Sequence, residues 1–309
     1  MITRRESLKR FGAASAASLL PLGSFTTSGK DNGSRFIYCL NTSTIRGQGQ
    51  GLAKSIEIAA EAGYEGVELW VGDVRDYVDQ GNSLAELRKI IASGSLTVEG
   101  AIGFASWIVD DPDQRREGFL QMEKDMNLMA ELECKRIAAP PSGFSGSELD
   151  YQTAGERYRQ VIELGRKTGV MPQLEFWGPH PALHHLGQAL YIAAAADDPD
   201  VRILADVYHL FRGGSGFNGL KMLNGNVLEI FHMNDYPGNI QRKEMKDSDR
   251  VFPGDGIAPI KEILADLYKM GGTKVLSLEL FNRGYWEQDA LEVAKTGLQK
   301  MKHLVQSSI

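Results

Sequence analysis

The chain has 309 residues, 42% of them hydrophobic and 24% charged, enough to bury one sizeable core as one large domain or two small ones. A net charge of −6 without a clustered Lys/Arg face argues against a nucleic-acid partner, and no apolar stretch reaches the roughly 20 residues of a stable membrane span. Two cysteines, Cys39 and Cys134, are too few for a disulfide framework and read as small buried hydrophobes.

The first 30 residues differ from the rest. Arg4 and Arg5 open a basic stretch that includes Lys9 and Arg10, and a modestly apolar Ala/Ser/Leu segment follows. This is the layout of an export signal, and the paired arginines before Ser7-Leu8-Lys9 resemble the twin-arginine type. The expected location is therefore the periplasm, or another exported setting. Residues 1–30 hold five basic residues and one acid, so their removal takes the net charge from −6 to −10.

Apolar, strand-like runs then alternate with amphipathic stretches. The runs are FIYCL from Phe36, GVELW from Gly66, TVEGAIG from Thr97, KRIAAP from Lys135, MPQLEFW from Met171, VRILAD from Val201, LEIFHMN from Leu228 and KVLSLELF from Lys274. Helical stretches between them, such as residues 51–63 and 258–272, close on the glycines expected after a helix. Eight alternations predict an α/β fold, a single-domain (β/α)8 TIM barrel over residues 31–309, with residues 1–30 as signal and linker. An open doubly wound sheet is the alternative, but no G-x-G-x-x-G turn follows the first strand.

In such barrels the active-site groups sit at the carboxyl ends of the strands. Strands five to eight here end in Glu175, Asp206, His232 and Glu279. An acid within LSLELF is costly to bury alone and calls for a compensating charge. One divalent metal ion would compensate three carboxylates and an imidazole together, and this hard, mixed set suits manganese, magnesium, cobalt or zinc. The plainer reading pairs the acids with arginines and leaves His232 as a core group.

These residues, with D-x-x-H at Asp206 to His209 and the run DRVFPGDG from Asp249 to Gly256, resemble the xylose-isomerase-like barrel superfamily over residues 36–305, in particular relatives of D-tagatose 3-epimerase. The resemblance implies a metal-dependent sugar isomerase or epimerase that transfers a proton next to a carbonyl through an enediolate. It implies Glu175 and Glu279 as catalytic base and acid on opposite faces of the sugar, Asp206 and His232 as pure metal ligands, and His209 and Arg250 on substrate oxygens. The connection between His232 and Arg250 is longer than in the 3-epimerases, so Arg212 and Arg242 compete with Arg250 for that role.

Aromatic residues gather near the strand ends: Trp70, Phe104, Trp107, Trp177, Phe281 and Trp286. Trp177 and Phe281 each follow a candidate ligand by two residues and so point the same way, toward a small-molecule carbohydrate. Glu68 is expected in the same pocket. His180, His184 and His185 read as loop and capping residues rather than a second metal site. Strands two and three offer none of the histidines of the AP endonucleases that share this barrel. A homo-oligomer fits the habit of such barrels. Two further readings stay open: a lyase acting on 3-keto-glycosides with the same site, and a carbohydrate-binding barrel without turnover.

Overall fold

The computed structural model describes residues 35–309. The expected export signal at residues 1–30 lies outside the described residues. Eight strands close into a parallel barrel in chain order. They are β1 (Arg35–Asn41), β2 (Gly66–Trp70), β3 (Thr97–Ile102), β4 (Arg136–Ala139), β5 (Met171–Glu175), β6 (Ile203–Asp206), β7 (Ile230–Met233) and β8 (Thr273–Leu278). The barrel shuts where β1 pairs with β8, from Arg35↔Thr273 to Leu40↔Leu278. The predicted (β/α)8 barrel is therefore the observed fold.

Strands covered on both faces read as near-continuous apolar runs, and β6 and β7 are buried at every position. Helices fill the intervals. The stretch Leu52–Ala62 stops at Gly63, which takes a left-handed φ of 90° that a side chain would strain. One hydrophobic layer packs helices onto the sheet; a smaller one, Cys39, Ile102, Ala138, Leu204, Ile230 and Val275, fills the barrel. Side chains alternate along a strand, so two residues beyond this inner layer stand Asn41 on β1, Asp206 on β6, His232 on β7 and Ser277 on β8. A further step of two reaches Glu279. The period of the strand thus turns these polar groups inward at one end of the barrel.

Cys39 and Cys134 are free and buried, as expected. Trp107 departs from the expectation of a mouth residue. It is fully buried in the outer core, where its indole N–H donates to the Pro140 carbonyl at 2.9 Å and its ring meets Tyr158 at 5.8 Å. Trp107→Ala should cost about 3–5 kcal/mol in urea unfolding, as a large aromatic leaving a cavity does; a loss below about 1 kcal/mol would place the ring outside the packed core. Among the described residues, no helix is long and apolar enough to cross a membrane.

Candidate functional site

Asp206 ends β6 and caps the helix Val207–Arg212: its Oδ1 accepts the His209 N–H at 2.7 Å. This explains an acid followed three residues later by a histidine. The cap fixes the first helical turn, and the turn sets His209 in the cavity wall. The Gly178 N–H donates to His209 Nδ1 at 3.1 Å, and Nε2 faces Arg250 Nη2 at 3.4 Å. Burial holds His209 below the ordinary histidine pKa. The other Asp206 oxygen accepts from Asn234 Nδ2 at 2.8 Å and from Arg250 Nη1 at 3.0 Å.

Asp206, His232 and Glu279 each offer a buried ligand atom, all within 4.8 Å of one another. His232 Nδ1 lies 3.1 Å from Glu279 Oε2, and its Nε2 lies 3.0 Å from Glu68 Oε2. Neither ring nitrogen makes an aligned hydrogen bond, so these are contacts of charge rather than directed bonds. Burial alone would lower the His232 pKa, but the Glu279 and Glu68 carboxylates outweigh it and hold it well above the ordinary value. Burial would likewise raise Glu279, yet His232 and Arg250 keep its carboxyl far below the usual range. Two carboxylates and an imidazole with unsatisfied nitrogens form a donor set that fits a divalent cation.

Glu175, expected as a fourth ligand, is not drawn into this set. It lines the same cavity, and burial pushes its pKa up to about 8, with Glu279 and Asp206 adding to the rise against the opposing charge of His232. Two neighbouring anions and a low-polarity wall make a crowded place for another carboxylate. Glu68, expected in the same pocket, is not among the residues that line the cavity. It is 1% exposed inside the barrel, its Oε2 accepting from Asn41 Nδ2 at 2.9 Å and Ser277 Oγ at 2.7 Å beside His232. Gly100, opposite Glu68 in the β2–β3 register, leaves the space: a Cβ there would stand 2.7 Å from Glu68 Oε1.

Arg250 reaches the site despite the long connection. Its Nη1 donates to Glu279 Oε2 at 2.7 Å as well as to Asp206, Nη2 donates to Asp247 Oδ1 at 2.5 Å, and the guanidinium lies 4.4 Å from the Tyr208 ring centroid. Arg212 instead turns to the Met245 carbonyl at 3.2 Å. Asp235 places Arg250. Its backbone exchanges two hydrogen bonds with Val251, both 2.9 Å, and its carboxylate accepts the N–H groups of Tyr236, Gly254, Gly256 and Ala258 at 2.8, 3.0, 3.1 and 2.9 Å. Gly256 must be glycine for this, since a Cβ would fall 2.3 Å from Asp235 Oδ1. Asp235→Ala should cost about 3 kcal/mol, because buried N–H groups lose their acceptor, and should speed hydrogen exchange at 254–258. Unchanged exchange there would show the loop to be held by other contacts.

The cavity over these groups measures about 460 Å³ and is walled by Trp70, Phe104, Trp177, Phe281 and Trp286. Trp177 and Phe281 thus line it even though β5 and β8 end before them. Trp70 is fixed by its indole N–H to Asn41 Oδ1 at 2.8 Å and by Arg46 4.0 Å over its ring. Asn41 also donates to Glu279 Oε1 at 3.2 Å, which makes it a hub that sequence reasoning missed; its one signal was a polar residue at an inward strand end. A larger cavity of about 750 Å³ opens near the starts of β3 and β4, but its Arg136 is committed to Glu99 and Glu229. The smaller one lies at the carboxyl ends of the strands, where barrel enzymes keep their active sites. His180 and His185 serve the loop and helix cap, His180 Nδ1 accepting from Leu183 N–H at 2.9 Å and His185 capping Leu186–Ala196.

A family model described as xylose isomerase-like TIM barrel matches residues 56–304. Inosose isomerase of Bacillus velezensis is 24% identical over 274 residues, covering 86% of this chain and 96% of that enzyme. 3-Dehydroshikimate dehydratase of Pseudomonas putida is 24% identical over 256 residues, 82% of this chain and 40% of that protein. The solved structure of IOLI protein with a bound zinc atom superposes with a TM-score of 0.80 at 22% identity, covering 88% of this chain and 99% of that one.

Proposed function

Because the chain belongs to the xylose isomerase-like TIM barrel family, we propose that it is a divalent-metal-dependent enzyme that moves a proton on the carbon next to the carbonyl of a sugar-like substrate. The observation that carries this reading is the buried set Asp206, His232 and Glu279, grouped within 4.8 Å, of which Glu279 opens on a cavity that Glu175 also lines. Asp206, His232 and Glu279 would hold the metal, in keeping with the zinc of the IOLI structure. A divalent cation bound there would supply Lewis-acid polarisation of a carbonyl and stabilise negative charge on a neighbouring oxygen.

Glu175 takes the proton from the carbon, as a carboxylate held on the cavity wall. Glu279, as the resemblance to the 3-epimerases implies, would serve the opposite face of the substrate. His209 and Arg250 hold substrate oxygens and fix which carbon faces Glu175. The aromatic walls exclude water from the exchange. An isomerase and a dehydratase among the relatives support two outcomes of one proton abstraction. Return of the proton gives the isomer or epimer, and loss of a group from the next carbon gives elimination, the course a lyase on 3-keto-glycosides would follow.

The test is deuterium exchange. The manganese-loaded protein, incubated in D2O with inosose, 3-dehydroshikimate and D-fructose, should place deuterium next to the carbonyl of at least one of them, read by NMR. No incorporation into any of the three with manganese, cobalt, magnesium or zinc would overturn the catalytic reading and leave a binding barrel.

A further inference from the structure

We propose that the ligand this cavity prefers carries a second, apolar ring beside the one that reacts, so that a ring-bearing glycoside binds more tightly than a free single-ring sugar. This rests on the cavity being the substrate site. The buried charged groups that line the cavity, Glu175, His209, Arg250 and Glu279, are each at most 5% exposed, and Asp247, Ser248 and Arg283 line it from the chain after β7 and β8. A reacting polyol needs such groups. On the side built from β2, β3 and the chain after β5 the character changes: apart from Glu175 it contributes Trp70, Ile102, Phe104, Trp177 and Pro179. Phe281, Trp70, Phe104 and Trp177 follow one another with centroid separations of 6.0, 5.3 and 6.0 Å, a continuous arc contributed from the ends of β8, β2, β3 and β5.

One sugar ring stacks its C–H face on one aromatic ring, or between two, so an arc of four provides contact well beyond the reacting unit. Its far members are not there to complete the core. Phe104 is 44% exposed, at the rim of a concave cavity of about 460 Å³, a size that suits ligands larger than a single six-membered ring. Lone exposed aromatics are common on proteins, whereas a contiguous set lining a cavity above buried charged groups has the composition of a binding surface. The Trp70–Phe104–Trp177 side of the wall points to an apolar ring as its occupant, since a second fully hydroxylated unit would find few polar partners there.

The test is calorimetric titration of the full-length protein and of Phe104→Ala with D-glucose and with phenyl β-D-glucopyranoside. Phenyl glucoside should bind wild type about tenfold tighter than glucose, the gain that one added aromatic contact and its buried area provide. Phe104→Ala should cut that advantage, the ratio of the two affinities, by at least about threefold. An advantage under about threefold in wild type, including no measurable binding of either probe, or an advantage that Phe104→Ala leaves intact, overturns the proposal. Titration needs no turnover, so a failed deuterium exchange with a retained phenyl preference would strike the catalytic reading alone.

Discussion

Glu279→Gln is expected to lower divalent-metal affinity by more than the roughly 10–100-fold that loss of an outer-shell partner costs, because it removes a charged donor from the three-residue set itself. Glu279 is engaged by three neighbours: His232 Nδ1 at 3.1 Å, Arg250 Nη1 at 2.7 Å and Asn41 Nδ2 at 3.2 Å. Glutamine has nearly the same shape but no charge. It leaves Arg250, 1% exposed, with one fewer anion to face, so the variant should also lose about 3–5 kcal/mol of stability, as buried pairs do when one partner goes. Elemental analysis by mass spectrometry after manganese loading reads the first effect, and urea unfolding after dialysis against chelator reads the second. Metal affinity equal to wild type would remove Glu279 from the ligand set.

Glu175→Gln separates binding from chemistry. Glu175 stands outside the set that groups within 4.8 Å, on the cavity wall, so the variant should keep its metal to within about tenfold while deuterium exchange into substrate falls by about 10²–10⁴, the range for removing a general base. A glutamine there also relieves the crowding of a carboxylate near Glu279 and Asp206, so its stability should equal or exceed wild type. Loss of metal in step with loss of exchange would instead make Glu175 a ligand, as the resemblance to the 3-epimerases implies.

Much of this architecture is legible in the chain itself. Apolar runs at regular intervals carry the barrel, and a strand's period of two carries Asp206, His232 and Glu279 to one inward-facing end. Pairing across strands is less visible. Glu68 reads as a pocket acid from its place in GVELW, but its direction depends on Asn41 and Ser277 from neighbouring strands and on the missing side chain of Gly100. Trp107 reads as a mouth aromatic because it follows β3 closely, yet the chain there turns back against Tyr158. Asp235 looks like an ordinary turn residue. Its four N–H partners lie at positions 236–258, and no periodicity links them.

The two backbone hydrogen bonds between Asp235 and Val251 act as the neck of a bottle. Inside it, residues 237–244 are mostly exposed, and Arg250 stands at the rim just before Val251. With the neck closed, the length of the exposed arc does not set the position of the arginine. Doubling a flexible loop costs only about 0.6 kcal/mol in closure entropy, so this connection can gain or shed residues around 237–244 while the guanidinium stays on Asp206 and Glu279. Sequence distance between β7 and its arginine is therefore a poor measure of spatial distance in this barrel, and the segment is a natural place for one descendant enzyme to diverge from another without disturbing the floor beneath it.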